Sequence, residues 1–224
     1  MRALIVFLAL CAHVSAAVLG PRDIAPDFSA TAVVGDTFET VSLKQYRDAG
    51  KWVVLFFYPF DFTFVCPTEI MSFSEKAKEF EAKGVQVLGV SCDSHHVHLA
   101  WTRTPREEGG LGNAVEFPLV ADITKEISRA YGVLTTDPSV GYVGAPLRGV
   151  FIIDPKGTIR SVIVNDEQVG RSTDEIMRIV DGFQYAEAHA GEGCPANWKL
   201  GAQTIKADHA GSKEFFREWA KGAK

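Results

Sequence analysis

The sequence predicts an α/β sandwich in which helices cover a mixed sheet. Trp52 to Tyr58 is a continuous apolar run of β-branched and aromatic residues, as in a strand buried on both faces, and Val85 to Cys92 predicts a second buried strand. Apolar residues recur at helical spacing between these runs, and a hairpin and a final helix are predicted later. At 224 residues, of which 46% are hydrophobic, the chain is long enough for one buried domain with an appendage.

One helix is predicted between the two buried strands, over Thr68 to Lys83. Its apolar residues fall on a single stripe: Ile70, Phe73, Ala77 and Phe80. Gly84 is expected to end this helix as its C-terminal cap. Three shorter elements are expected next: a helix from His95 to Arg103, a strand from Phe117 to Val120, and a helix from Ile123 to Tyr131.

A β-hairpin and a helix are predicted in the second half of the chain. Strands are expected at Gly149 to Ile153 and Thr158 to Val164, because Asp-Pro-Lys-Gly between them is typical of a turn. Ser172 and Glu175 have the spacing of a capping box, which opens a helix that ends near Glu187.

The composition changes after His189, where Gly and Ala become frequent. This pattern predicts a loop or arm over residues 190–211, followed by a short helix from Ser212 to Lys221. We therefore divide the chain into one domain at residues 22–184 and a C-terminal arm at residues 185–224.

The first 16 residues have the pattern of a secretory signal peptide. Arg2 gives a positive start, an apolar core runs from Ala3 to Cys11, and small residues around Ala16 suit a peptidase. The core is shorter than the roughly 20 residues that span a membrane. We expect cleavage after Ala16 and a location in the endoplasmic reticulum lumen or outside the cell. If the leader is not cleaved, a cytoplasmic or organellar location is the alternative.

The net charge of −5 and the pI of about 5.7 argue against a nucleic-acid partner, which requires clustered Lys and Arg. No further apolar stretch is long enough to span a membrane, so no membrane partner is expected. Three cysteines follow the leader, Cys66, Cys92 and Cys194. An odd count favours an intermolecular disulfide or a reactive thiol.

Cys66 directly follows the first buried strand and its loop, and precedes Pro67. Because proline is favoured in the first turn of a helix, Cys66 is expected at a helix N-terminus. Unpaired N–H groups and the helix dipole stabilise a thiolate there, and Thr63 is close enough to aim its hydroxyl at the sulfur. On placement alone, an inert core cysteine stays an equal alternative.

The segment from Pro59 to Glu69, PFDFTFVCPTE, resembles the active-site loop of the peroxiredoxins, whose pattern is Pro-x-x-x-Thr-x-x-Cys. The resemblance extends from about Ile24 to Phe216, is strongest to the typical two-cysteine subgroup, and implies a thioredoxin-like fold. Four more segments carry it: His98 to Trp101, which lines the family's pocket; Gly109 to Gly112, found in over-oxidation-prone members; Leu147 to Asp154, which carries an arginine; and Gly193 to Pro195, with the resolving cysteine.

The resemblance implies a thiol peroxidase that reduces hydrogen peroxide and organic hydroperoxides. Cys66 would be the peroxidatic thiolate and would become a sulfenic acid. Arg148, which stays charged, would hold the thiolate and stabilise developing negative charge. Thr63 would donate or relay a hydrogen bond. Pro59 would shape and dry the pocket, and Glu69 would orient an arginine.

The resemblance also implies a homodimer in which Cys194 of one subunit forms a disulfide with Cys66 of the other. Five such dimers can close a ring, and a thioredoxin-like dithiol would reduce the disulfide. No metal or organic cofactor is implied, because sulfur carries the electrons. One position departs from the family: sensitive members carry Tyr-Phe in the terminal helix, where this chain has Phe215-Phe216. We hypothesise reduced sensitivity to over-oxidation.

Other interpretations stay open at this stage. A dithiol–disulfide oxidoreductase uses the same fold, although the absence of a CxxC motif argues against it. A holdase chaperone or an extracellular signalling role is compatible with the resemblance. Cys92 with its neighbouring histidines could mimic a metal cluster, but we favour a packed thiol. Arg171 either assists the site or is solvated.

Overall fold

The structure, a computed structural model, describes residues 19–139 and 141–222, so the leader predicted at residues 1–16 lies outside the described part. Nine strands are found there: β1 (Ser29–Val34), β2 (Thr37–Ser42), β3 (Trp52–Phe57), β4 (Val85–Ser91), β5 (Leu119–Ala121), β6 (Arg148–Ile153), β7 (Ile159–Asn165), β8 (Glu192–Gly193) and β9 (Ile205–Lys206). The first seven form one mixed sheet in the order β2-β1-β5-β4-β3-β6-β7.

Helices cover both faces of this sheet, which confirms the predicted α/β class. They are α1 (Leu43–Asp48), α2 (Cys66–Glu75), α3 (Ala77–Ala82), α4 (His95–Arg103), α5 (Glu126–Ala130), α6 (Thr173–Ala188) and α7 (Ser212–Gly222). None of the described helices is long and apolar enough to cross a membrane.

The two hydrophobic cores follow from the alternation of side chains along β3. Val54 and Phe56 point to the face covered by α2, α3 and α6, whereas Val53, Leu55 and Phe57 point to the face covered by α1 and α5. Every residue of β3 is buried, as its uninterrupted apolar sequence predicts.

Most predicted elements are confirmed within a few residues, but the single helix expected over Thr68 to Lys83 is wrong. It is divided at Lys76, whose N–H bonds back to the Phe73 carbonyl and whose φ and ψ of −102° and 3° leave the helical range. This bend keeps Phe73 and Phe80 in the same core cluster. Gly84 ends α3 with a φ of +68°, in the left-handed conformation that a glycine cap adopts.

The hairpin β1–β2 and helix α1 were missed. Helix α1 begins with a capping box: the Ser42 hydroxyl accepts a hydrogen bond from the Gln45 N–H, and the Gln45 side chain accepts one from the Ser42 N–H. At the predicted box, the Ser172 hydroxyl accepts from the Glu175 N–H, but the Glu175 carboxylate binds Arg178 instead. The start of α6 at Thr173 is nevertheless close to its prediction.

The sheet topology determines where side chains meet at one end of the molecule. Strands β3, β4 and β5 are parallel, whereas β6 is antiparallel to β3, with Phe56 paired to Val150. The beginning of β6 therefore lies beside the end of β3. Arg148, the first residue of β6, is thus brought to the edge of the sheet where the chain leaves β3 towards Cys66.

The boundary expected at residue 184 falls inside α6, and the arm that follows this helix packs back against it before it ends in α7. Trp198 is buried, its ring lies 5.2 Å from that of Tyr185, and its carbonyl accepts a hydrogen bond from Arg178. The predicted terminal helix is confirmed as α7, which exposes Phe216 and Trp219 to 50% and 62%. The arm therefore presents an amphipathic helix whose apolar side chains have little cover from the described part of the chain.

Candidate functional site

Cys66 is the first residue of α2, as expected from the proline that follows it. After β3 the chain forms the active-site loop, residues 58–65, and α2 then begins with Pro67 in its first turn. The Val65 carbonyl accepts hydrogen bonds from the N–H groups of Thr68 and Glu69, which opens the helix. The Cys66 side chain is fully buried, so its environment is made by the protein.

Arg148 contacts the sulfur directly. Its Nη1 donates to Cys66 Sγ at 3.3 Å and to Glu69 Oε2 at 2.7 Å, and its Nε donates to the Glu167 carbonyl at 2.7 Å. Burial acts to lower the pKa of Arg148, but the hydrogen bond and charge of Cys66 and the Glu69 carboxylate outweigh it and raise the pKa above its ordinary value. The guanidinium therefore stays charged beside the sulfur.

Glu69 holds a second buried arginine, Arg171. The Arg171 Nε donates to Glu69 Oε1 at 2.6 Å and its Nη2 donates to Oε2 at 2.9 Å, a bidentate pair. Its Nη1 donates to the carbonyls of Phe57 and Gly149 at 2.6 and 2.8 Å, which join the ends of β3 and β6. The alternative of a solvated Arg171 is wrong, because its side chain is buried.

The charges of this cluster leave an excess of positive charge beside Cys66. Two guanidinium groups share one carboxylate in a buried site, so the cluster has an excess of one positive charge. A buried charge is costly unless it is paired. A thiolate at Cys66, in contact with Arg148, neutralises that excess. The arrangement can therefore hold a nucleophilic sulfur ready for an electrophile.

Thr63 and Pro59 line a pocket of about 300 Å³ together with Arg148, whose guanidinium contacts the Cys66 sulfur. The Thr63 hydroxyl donates its hydrogen to the Phe60 carbonyl at 2.8 Å. Thr63 was expected to donate a hydrogen bond to the ligand, but its hydrogen points into the loop. Its oxygen remains able to accept a hydrogen bond from a ligand. Pro59 is buried, as its expected role in drying the pocket requires.

A buried polar network beneath the active-site loop was missed by the sequence analysis. Asp61 Oδ2 lies 2.7 Å from His98 Nδ1, and the Tyr58 hydroxyl donates to Asp61 Oδ1 at 2.9 Å. Burial raises the pKa of Asp61 against the lowering effect of His98, and burial also raises the pKa of Tyr58 well above its ordinary value. An aspartate placed between Phe60 and Phe62 was the available hint of a buried carboxylate.

The segment from His98 to Trp101 supports the loops and is absent from the lining of the pocket above Arg148. Trp101 is fully buried and its Nε1 donates to the Gly109 carbonyl at 2.8 Å. Gly110 must lack a side chain, because a Cβ there would approach the Thr104 carbonyl oxygen to 2.1 Å. Within the described residues, no cluster of three or more His, Cys, Asp or Glu side chains is arranged to hold a metal ion.

The other two described cysteines lie in different surroundings from Cys66. Cys92 is half-buried beside Ser128, and burial raises the pKa of its thiol to about 11, so it stays protonated at neutral pH. Cys194 is half-buried on the arm, with Sγ 3.6 Å from the Gly182 carbonyl. Burial raises the pKa of Cys194, against the lowering effect of Arg178. All three thiols are free.

Comparison with known proteins identifies the family. The sequence model of the AhpC/TSA family matches residues 21–162, and that of the C-terminal domain of 1-Cys peroxiredoxin matches residues 182–218. Peroxiredoxin-2 of Mus musculus is 56% identical over 192 residues, which cover 86% of this chain and 92% of that protein. The chain belongs to the peroxiredoxin family.

Solved structures agree with this assignment. The reduced 2-Cys peroxiredoxin of Plasmodium vivax has a TM-score of 0.82 and 41% identity, over 89% of this chain and 99% of that one. The thioredoxin peroxidase I of Plasmodium yoelii has a TM-score of 0.68 and 43% identity, over 81% of this chain and 99% of that one. The expected thioredoxin-like fold, two-cysteine type and thiol peroxidase activity of this peroxiredoxin are thereby confirmed.

The buried charge cluster leads to a stability prediction. We expect Glu69→Gln to lower the free energy of unfolding by about 3–5 kcal/mol, because it leaves two buried arginines without their carboxylate. Urea denaturation measures this loss. The matched control is Glu175→Gln, which breaks the more exposed pair with Arg178 and should cost less than about 1 kcal/mol. Equal losses in the two variants would contradict the role assigned to Glu69.

Proposed function

We propose that Cys66 is the peroxidatic residue of this peroxiredoxin, and that Arg148 is its electrostatic partner. The observation that carries the proposal is the 3.3 Å contact between Arg148 Nη1 and the buried Cys66 Sγ, within a cluster whose excess positive charge favours a thiolate. Glu69 positions Arg148 from the first turn of the same helix that begins at Cys66.

The proposed reaction is a nucleophilic substitution at oxygen. The Cys66 thiolate attacks the terminal oxygen of a hydroperoxide, a sulfur–oxygen bond forms, and the oxygen–oxygen bond breaks. The leaving oxygen takes up a proton and departs as water or an alcohol. The Arg148 guanidinium stabilises the charge that develops on the two oxygens, and the Thr63 hydroxyl oxygen accepts a hydrogen bond from the O–H group of the hydroperoxide.

We propose that Cys194 of a partner subunit resolves the sulfenic acid, releasing water as the disulfide forms. Two contacts support resolution by another chain. The hydroxyl of Ser72 in α2 lies 2.7 Å from the hydroxyl of Thr173, at the beginning of α6. The Cys194 sulfur, in contrast, lies 3.6 Å from the carbonyl of Gly182, further along that helix. With 1.5 Å per residue, about 14 Å of helix separates Thr173 from Gly182, whereas a disulfide needs Cα atoms within about 7 Å.

A homodimer is the assembly that we propose for this step. Strand β7 is an edge of the sheet and exposes Val164, so its free backbone groups can pair with another chain. The exposed Phe216 and Trp219 of α7 provide apolar surface for a partner. Closure of five dimers into a ring stays a prediction.

A thioredoxin-like dithiol is the reductant that we propose, by exchange with the Cys66–Cys194 disulfide. The name of the similar Plasmodium yoelii protein, thioredoxin peroxidase I, supports this choice. The chemistry requires no metal or organic cofactor. For the location, we retain the proposal that residues 1–16 direct the chain to the secretory pathway; this segment also precedes the family match at residues 21–162.

The disulfide can be tested by intact-mass analysis after one equivalent of hydrogen peroxide. We expect a linked dimer of twice the chain mass that dithiothreitol separates. Cys194→Ser should consume peroxide without linking, and Cys66→Ser should do neither, although any holdase activity should survive. Cys92→Ser is the matched control and should behave as the parent, because its thiol is protonated. A dimer linked through Cys92 would contradict the proposal.

Phe215 leads to a prediction about over-oxidation. Tyrosine at this position should increase sulfinic acid formation at Cys66, because its added hydroxyl can hold α7 in place and delay the approach of Cys194. The measurement is the amount of sulfinic acid, by mass, across a peroxide titration of the parent and Phe215→Tyr. Phe216→Tyr adds the same atom at a half-exposed position and is the control. Equal sensitivity of the parent and Phe215→Tyr would discard the hypothesis.

The leader can be tested by N-terminal sequencing of the protein made in a eukaryotic secretory host. We expect the mature chain to begin at Ala17, because cleavage follows the small residues that end at Ala16. A variant with Leu8→Arg, which interrupts the apolar core, should keep Met1 and stay in the cytoplasm. If the parent chain also keeps its first residues, the secretory proposal is wrong.

A further inference from the structure

The pocket above Arg148 is larger than hydrogen peroxide requires. Its volume is about 300 Å³, whereas a water molecule occupies about 30 Å³ of liquid. Thr63 and Arg148 contribute polar groups to its lining. The rest of the lining is mainly apolar and comprises Pro59, Phe64, Val65 and Tyr142, with Glu167 and Gln168. The pocket therefore has room for an organic group next to the hydroperoxide oxygens.

Tyr142 belongs to a loop that the proposed chemistry does not use. The loop leaves and rejoins the fold at the bridge between Leu134 and Pro146, and the Thr135 N–H donates to the Ala145 carbonyl at 2.9 Å. The Tyr142 ring lies 5.8 Å from that of Phe60 in the active-site loop and is 40% exposed. One face of the ring is thus supported while part of it remains open to a ligand.

The backbone of Tyr142 is in an unfavourable conformation for an aromatic residue. Its φ is +56°, in the left-handed region that Gly and Asn adopt with less strain. The turn itself therefore does not explain a tyrosine. Strained residues cluster at ligand sites, and the strain here places a large ring at the mouth of the peroxide pocket.

We propose that Tyr142 is a specificity-determining residue, whose ring receives the organic group of a neutral alkyl or aryl hydroperoxide. The inference rests on the proposed role of Cys66. The hydroperoxide group would point inwards to Arg148 and Thr63, and the organic group would pack against Tyr142, Pro59 and Phe64.

Charge at the pocket mouth selects for neutral substrates. A wider cavity of about 630 Å³ adjoins the pocket through Pro59, Tyr142, Glu167 and Gln168. Asp137 and Asp166 also line this wider cavity, so carboxylates lie next to the pocket on the side of Tyr142. A hydroperoxide that itself carries a carboxylate would be repelled there, whereas an uncharged organic group would not.

The test compares the second-order rate constants of Cys66 oxidation by cumene hydroperoxide and by hydrogen peroxide, measured by stopped flow. We expect Tyr142→Asn to lower the ratio of the two constants about tenfold, because it removes the apolar wall for the cumyl group. Asparagine is chosen because it tolerates a positive φ and preserves the loop. Tyr142→Phe retains the ring and should keep the parent ratio.

Val143→Asn is the matched control. Val143 is the next residue, is exposed, and is absent from the lining of the pocket, so the ratio should not change. If Tyr142→Asn slows both peroxides equally, or leaves the ratio unchanged, the inference is overturned and the role of Cys66 stands. If Cys66 of the parent does not react with hydrogen peroxide, the proposed function itself fails.

Discussion

The ion pairs of Glu69 are the interaction on which the site depends. This carboxylate binds Arg148 and Arg171 in a buried position, and Arg148 in turn contacts Cys66. Burial makes each charge costly unless it has a partner, so the four groups are stable only as a set. In the proposed function the Cys66 thiolate completes the charge balance of this cluster, so the proposed reactivity depends on the packing of the core.

The sheet supplies the geometry that this charge set requires. Arg171 donates to the carbonyls of Phe57 and Gly149, which lie where the antiparallel strands β3 and β6 meet. Those bonds join the site to the rigid centre of the sheet. Glu69 joins the same arginine to α2, so the helix that begins at Cys66 cannot shift without breaking buried charge pairs. The cysteine is positioned by secondary structure on both sides.

Local chemistry could be predicted from the sequence, whereas contacts between distant segments could not. The Cys-Pro pair after a buried strand correctly placed Cys66 at the start of α2, because helix-start preferences act over a few residues. Nothing in the spacing of Asp61 and His98 indicated their pairing, since it depends on how α4 packs beneath the active-site loop. The same holds for Arg171, and for Tyr142, which reaches Phe60 only through tertiary folding.

The separation of Cys66 from Cys194 within one chain follows from the direction of α2 and α3 along α6. Ser72 lies beside Thr173, and Lys83 lies beside Asp181, so the two helices run alongside α6. Cys66 precedes this contact at one end, whereas Cys194 packs near the other end, at Gly182. A single chain thus holds Cys66 and Cys194 apart. In the proposed cycle a second copy supplies Cys194, and the exposed edge of β7 and the apolar side chains of α7 offer surfaces for that assembly.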